Sequence, residues 1–219
     1  IRFNGDGSLR LIYSGEGSAQ TSGTGTQIGT SKFNTSYNDN MYVGLQYTSG
    51  QVHGTGTNST ILGTSTSTDL TTLYGWYNNK VKPSYASLID SNAGFCSDRD
   101  NYTNNTGTTA GGGTGTTTTY YGAYIRYVKG GSWQTTYIPT LRCKNASDNL
   151  KLPVGLITAD EYSLAGGGIW EDGYYNTTFW LHTGQTYWTM SPFVLDSDGF
   201  ARVFYVHSSG YLYRNDVDY

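Results

Sequence analysis

From Trp180 to the last residue, aromatic and β-branched runs alternate with short turn signals, and this rhythm leaves little choice of local structure. Residues 187–193, Tyr-Trp-Thr-Met-Ser-Pro-Phe, form the densest aromatic run. Ala201–Val206 is a second strand pattern, Ser208-Ser209-Gly210 a turn, and residues 211–219 a closing strand. Such a chain end is predicted to fold as antiparallel strands joined by tight connections.

The N-terminus carries the same signature. Asn4-Gly5-Asp6-Gly7 separates Ile1-Arg2-Phe3 from residues 8–13, in which Leu9, Leu11 and Tyr13 alternate, so a hairpin is predicted. Residues 14–30 are poor in apolar side chains and read as a loop. Residues 41–47 read as a strand with Met41, Val43 and Leu45 in register. Helical spacing of Leu70, Leu73, Trp76 and Tyr77 predicts a helix over 69–81, with Asp69 as N-cap and Lys82-Pro83 as its end. Tyr85, Leu88 and Ile89 suggest a short helix after it. Residues 101–119, with Gly111-Gly112-Gly113 and four consecutive threonines, read as a long low-complexity loop. Residues 120–128 read as a strand that packs through Tyr124 and Tyr127. Thr158-Ala159-Asp160-Glu161 fits a capping box that opens a compact helix, and Gly166-Gly167-Gly168 stops it. The sum is an α+β chain of short antiparallel strands, two modest helices and long loops, with no internal repeat. It is predicted to form a single domain over 1–219.

Composition narrows the function. Only 13% of residues are charged, about half the usual fraction, and Gly, Thr, Ser, Asn and 21 tyrosines take their place. That balance suits an extracellular or cell-surface domain, or a virion surface, better than a cytosolic enzyme. The net charge is −3 and Lys and Arg form no cluster, so nucleic acid is not an expected partner. No apolar run of ~18 residues exists, so the segment is not expected to contact a membrane. The chain opens directly into a strand pattern, as expected of a trimmed mature domain. A bridge between Cys96 and Cys143 would close the most Gly/Thr-rich stretch; the alternative is two buried thiols, and the extracellular composition favours the bridge.

Catalytic chemistry finds little to stand on. There is no Gly-x-Ser-x-Gly elbow, and nothing singles out a cysteine–histidine pair. Asp160 and Glu161 are adjacent and explained by helix capping. Asp98 and Asp100 flank Arg99 in a polar turn beside Cys96. Asp196, Ser197, Asp198 and Gly199 could suggest calcium but equally make an ordinary turn. His53, His182 and His207 lack metal-ligand spacing, so neither metal nor cofactor is expected. Six Asn-x-Ser/Thr sequons, at Asn34, Asn58, Asn101, Asn104, Asn145 and Asn176, arise readily in so polar a chain. The expectation is therefore no enzyme.

The functional signal is distributed instead. Tyr211 and Tyr213 share one face of the closing strand, and Arg214, Asp216 and Asp218 share the other with Leu212. His207, Ser208 and Ser209 form the turn before them. Rigid tyrosines supply contact area at low entropy cost and short polar side chains supply hydrogen bonds, as in antibody paratopes. An ordinary solvated hairpin is the competing reading.

Several stretches resemble a family of surface proteins of gut Firmicutes whose function is unassigned. They are residues 3–12 (Phe-Asn-Gly-Asp-Gly-Ser-Leu-Arg-Leu-Ile), Trp76-Tyr77-Asn78-Asn79, residues 155–161 (Gly-Leu-Ile-Thr-Ala-Asp-Glu), residues 187–192 and Val203-Phe204-Tyr205-Val206. Relatives often carry a pilin-like hydrophobic helix before the first strand and continue after the final hairpin into a Gly-Val-Arg-Pro-Val strand, and this chain shows neither. The C-terminal half also resembles the C-type-lectin-like fold of the formylglycine-generating-enzyme branch. That branch includes the variable proteins of diversity-generating retroelements. The resemblance implies a display domain that binds a protein or glycan on another cell or host. Its displayed positions would be Phe193, Val194, Leu195, Asp196, His207, Tyr211, Tyr213, Arg214, Asn215, Asp216 and Asp218. The formylglycine-generating activity is not implied, because no cysteine follows Cys143. A pilin-like or adhesin structural subunit is the second expectation, and a carbohydrate-active enzyme working through surface carboxylates is the third.

Overall fold

A computed structural model of the chain describes residues 2–4, 6–15, 27–44, 68–92, 94–102, 113–144, 148–170 and 178–219. Its strands are β1 (Arg2–Phe3), β2 (Leu9–Arg10), β3 (Gly94–Cys96), β4 (Thr119–Tyr120), β5 (Val128–Lys129), β6 (Ser132–Trp133), β7 (Asn149–Lys151), β8 (Gly168–Ile169), β9 (Tyr187–Leu195), β10 (Ala201–Val206) and β11 (Tyr211–Asp216). The α-helices are α1 (Thr68–Trp76), α2 (Lys82–Tyr85), α3 (Gly122–Tyr127) and α4 (Ala159–Leu164). The chain is thus α+β, mostly strands with few helices.

The C-terminal strand pattern becomes the centre of the molecule. β9, β10 and β11 form an antiparallel meander inside a curled five-stranded sheet of order β4-β9-β10-β11-β8, in which β8 runs parallel to β11. Pro192 lies opposite Val203, and the register slips on both sides of that pair. A proline donates no ladder hydrogen bond, and a bulge absorbs its presence in an interior strand. The sheet separates two cores. Met190, Leu195, Ala201 and Val203 join Phe33, Val43, Leu73, Phe95 and Leu152 in one. Phe193, Val194, Phe204 and Val206 join Tyr127, Tyr162, Ile169 and Leu212 in the other, where α3 and α4 pack.

The capping box at α4 is present in full. Thr158 Oγ1 accepts from the Glu161 N–H, and Glu161 Oε2 accepts from the Thr158 N–H, both at 3.0 Å. The predicted hairpin forms with Arg2 opposite Arg10 and Phe3 opposite Leu9, although Leu9 and Leu11 are 51% and 67% exposed rather than packed. Cys96 and Cys143 form the disulfide, with Cα atoms 5.4 Å apart.

Three segments differ from their sequence reading. Residues 40–42 form a 3-10 turn instead of a strand, capped by Asp39, because Asn40 is fully buried and its Nδ2 donates to the carbonyls of Gly115 and Thr117. Residues 45–47 of that reading, the sequons at Asn58, Asn104, Asn145 and Asn176, and residues 16–26 and 103–112 of the two loop readings lie outside the described residues. Residues 122–127 form α3 instead of a strand: Ala123, Tyr124 and Tyr127 recur at helical spacing and are buried. The helix over 69–81 does not end at Lys82-Pro83. Asp69 sits within its first turn, and residues 77–81 widen into a π-turn, with the Lys82 N–H donating to Tyr77 O five residues back. Pro83 then sits in the first turn of α2, where its missing N–H costs nothing. Leu88, one of the residues that suggested the short second helix, is 79% exposed.

Candidate functional site

The β10–β11 hairpin sets Tyr205 opposite Tyr213 and Val206 opposite Leu212. Its turn is closed by the His207 N–H on Tyr211 O and the Gly210 N–H on His207 O. Gly210 has φ +80°, and a Cβ there would lie 2.9 Å from the His182 ring, so the position requires glycine. His182 reaches over the turn, its Nε2 2.8 Å from Ser208 O, and so ties the 178–182 segment to the hairpin.

Aromatic rings converge around this hairpin. The parallel pairing of Tyr211 with Gly168 and Leu212 with Ile169 places Trp170 at the edge of β11. Its ring centroid is 5.0 Å from that of Tyr211 and 5.6 Å from that of Tyr213. Trp133 is delivered by the β5–β6 hairpin, whose Gly130-Gly131 loop supplies the two positive φ angles such a turn needs. Trp133 stacks on Tyr213 at 5.3 Å and on Phe193 at 5.6 Å, each at 22°. His207 stacks on Tyr211 at 4.6 Å and 10°. The Ser209 N–H donates to His207 Nδ1 at 3.0 Å, which requires a lone pair there and assigns the ring proton to Nε2. The Arg214 guanidinium lies over the Phe193 and Tyr213 rings, 5.8 and 6.0 Å from their centroids.

The eleven sequence-predicted positions therefore divide. His207, Tyr213 and Arg214 are partly exposed within the aromatic cluster, and Tyr211, at 6% exposure, lies beneath it. Phe193, Val194 and Leu195 are buried at 3%, 1% and 0%, so they build the core and present no surface. Asp196 and Asp216 belong to a separate ionic cluster with Asp198. Arg202 donates to Asp196 at 2.7 Å, Asp198 at 2.5 Å and Asp216 at 2.8 Å. Where the sequence suggested calcium, the cation is this guanidinium. The hydrogen bonds hold the Asp198 carboxyl below its usual range even against the cost of burial. Asn215 and Asp218 are partly exposed at the end of β11 and just beyond it. Among the described residues no group of three or more His, Cys, Asp or Glu is placed to hold a metal.

Sequence reasoning missed Trp133, Trp170, His182 and Arg202. The Lys129-Gly130-Gly131-Ser132 hairpin signal could have flagged Trp133. Nothing local marks Trp170, whose place depends on a strand pairing across some forty residues.

A second feature is a polar cleft of about 460 Å³ between the N-terminal hairpin, the disulfide, α3 and α4. At its base Arg126 bonds both Asp98 and Asp160. Asp160 also accepts from Tyr127 Oη and the Thr140 N–H. Asp98 has a left-handed backbone, φ 47°, and burial pushes its carboxyl up to about 6 despite Arg126. Glu161 serves the capping box and pairs with Arg10 at 3.0 Å. All three carboxylates are thus matched to guanidinium groups, which is the pattern of an internal ionic network.

Comparison with protein-family models, curated proteins and solved structures returned no match.

Proposed function

We propose that this chain is an extracellular ligand-binding domain on a C-type-lectin-like scaffold, akin to the variable proteins of diversity-generating retroelements, and not an enzyme. The supporting observation is the cluster of Trp133, Trp170, His207 and Tyr213 at the edge of the central sheet, with Trp170 42% exposed. The rings are held by stacking on buried Phe193 and Tyr211 and by a pinned turn, so binding orders few side chains. The internal pairing of the cleft carboxylates Asp98, Asp160 and Glu161 weighs against the carbohydrate-active enzyme.

The test is binding of the purified domain to glycan and protein arrays beside Trp170→Ala/Tyr213→Ala. Specific capture that the variant loses, with its circular dichroism unchanged, is expected. Capture that both proteins show equally would move the site elsewhere. The assembly-subunit reading draws on the exposed Leu9, Leu11 and Ile12 near the N-terminus. Sedimentation as a concentration-dependent polymer would favour it.

A further inference from the structure

The charge and ring geometry of the C-terminal face narrow its ligand class, and this step rests on the reading that the face binds a ligand. Its charges are largely spent internally. Asp196, Asp198 and Asp216 converge on Arg202, which is only 8% exposed. Arg214, the cation nearest the rings, lies over Phe193 and Tyr213. Among the described residues no pair of cations is positioned to clamp a phosphate or sulfate, which such an anionic ligand would need.

What the face offers is flat apolar area beside a directed donor. Trp170 is exposed, and Tyr213 is immobilised against Trp133. His207 Nδ1 is occupied by the Ser209 N–H, so Nε2–H is the donor the ring presents, and it has no partner among the described residues. An aromatic plane with neighbouring hydrogen-bonding groups suits a ligand with an apolar C–H face and hydroxyl edges. We propose that the C-terminal face binds a neutral pyranose of a glycan, its C–H face against Trp170 and a hydroxyl accepting from His207 Nε2–H. Trp170 is tilted 62° from Tyr211 and 51° from Tyr213. Rings so inclined form no coplanar strip, so the face takes one sugar ring at a chain end and not the flat surface of a crystalline polysaccharide. Because Arg202 already holds the carboxylates, binding needs no calcium.

The experiment is titration with methyl glycosides of neutral hexoses and N-acetylhexosamines, read by tryptophan fluorescence and calorimetry, with sialylated and sulfated glycans and the protein array in parallel. One or more neutral glycosides are expected to bind equally with and without EDTA. Affinity should fall about tenfold or more in Trp170→Ala, less in Trp170→Phe, and several-fold in His207→Ala. Selection of charged over neutral glycans, or loss of binding in EDTA, would overturn the proposal. Binding of a protein ligand that is sensitive to Trp170→Ala, with no glycan bound, would overturn the sugar assignment and leave the display reading standing. Ligands indifferent to Trp170→Ala would overturn both.

Discussion

Arg202 decides what three carboxylates at the C-terminal end of the sheet can do. It is nearly buried while Asp196 and Asp216 are partly exposed and Asp198 is exposed, so solvent screens the pairs and each contributes modestly. Removing the shared cation is costlier than losing any one pair, because three like charges then face each other. Arg202→Ala is expected to cost about 2 kcal/mol in urea unfolding, with millimolar calcium restoring part of the loss in the variant and leaving the parent unmoved. No loss, or a parent stabilised by calcium, would contradict this account. Asp69 makes a second residue-scale prediction. Its Oδ1 accepts from Ser31 Oγ at 2.8 Å, its Oδ2 is buried without a hydrogen-bond partner, and burial pushes its carboxyl up to about 6. A raised carboxyl binds a proton more readily folded than unfolded, so this group's contribution to stability grows as pH falls from above 6 to about 4. Asp98 acts in the same direction and window. Asp198, held low, opposes them only below about pH 4. The protein is therefore expected to resist urea better at pH 5 than at pH 7.5. Asp69→Asn mimics the protonated form and should remove about 1 kcal/mol of that difference. An unchanged pH profile would sink the assignment.

At the scale of elements, legibility followed locality. The capping box at α4 and the turn at Ser208-Ser209-Gly210 could be read because their determinants lie within a few residues. α3 could not, because six residues rich in Tyr, Ile and Arg form a helix only when Tyr124 and Tyr127 bury against Phe193 and Phe204. The π-turn before Pro83 likewise answers to a proline several residues ahead. The candidate site divides the same way: alternation exposed Tyr211, Tyr213 and His207, while Trp170 and Trp133 arrive through pairings far apart in sequence. Phe193, Val194 and Leu195 were named as displayed through the resemblance alone, and the strand that carries them is covered by cores on both faces. The disulfide links β3 to the segment after β6 across 47 residues, and the chain-entropy account gives it about 4 kcal/mol. Unfolding with and without reductant should differ by that order; a negligible difference would show that the loop is constrained without it.

At the scale of the whole molecule, two places among the described residues could meet a ligand, and the physics of each differs. The polar cleft holds its buried charges in mutual pairs, whereas the C-terminal face leaves an exposed tryptophan, a stacked tyrosine and a directed imidazole on a well-packed sheet. The central claim is that the second is the binding surface. The most direct measurement compares the dissociation constant of one captured ligand for three proteins: the parent, Trp170→Ala/Tyr213→Ala on the face, and Asp90→Asn/Arg142→Gln on exposed residues of the cleft. The account predicts that the face variant loses at least about tenfold in affinity while the cleft variant matches the parent. A cleft variant that loses binding while the face variant keeps it would contradict the account.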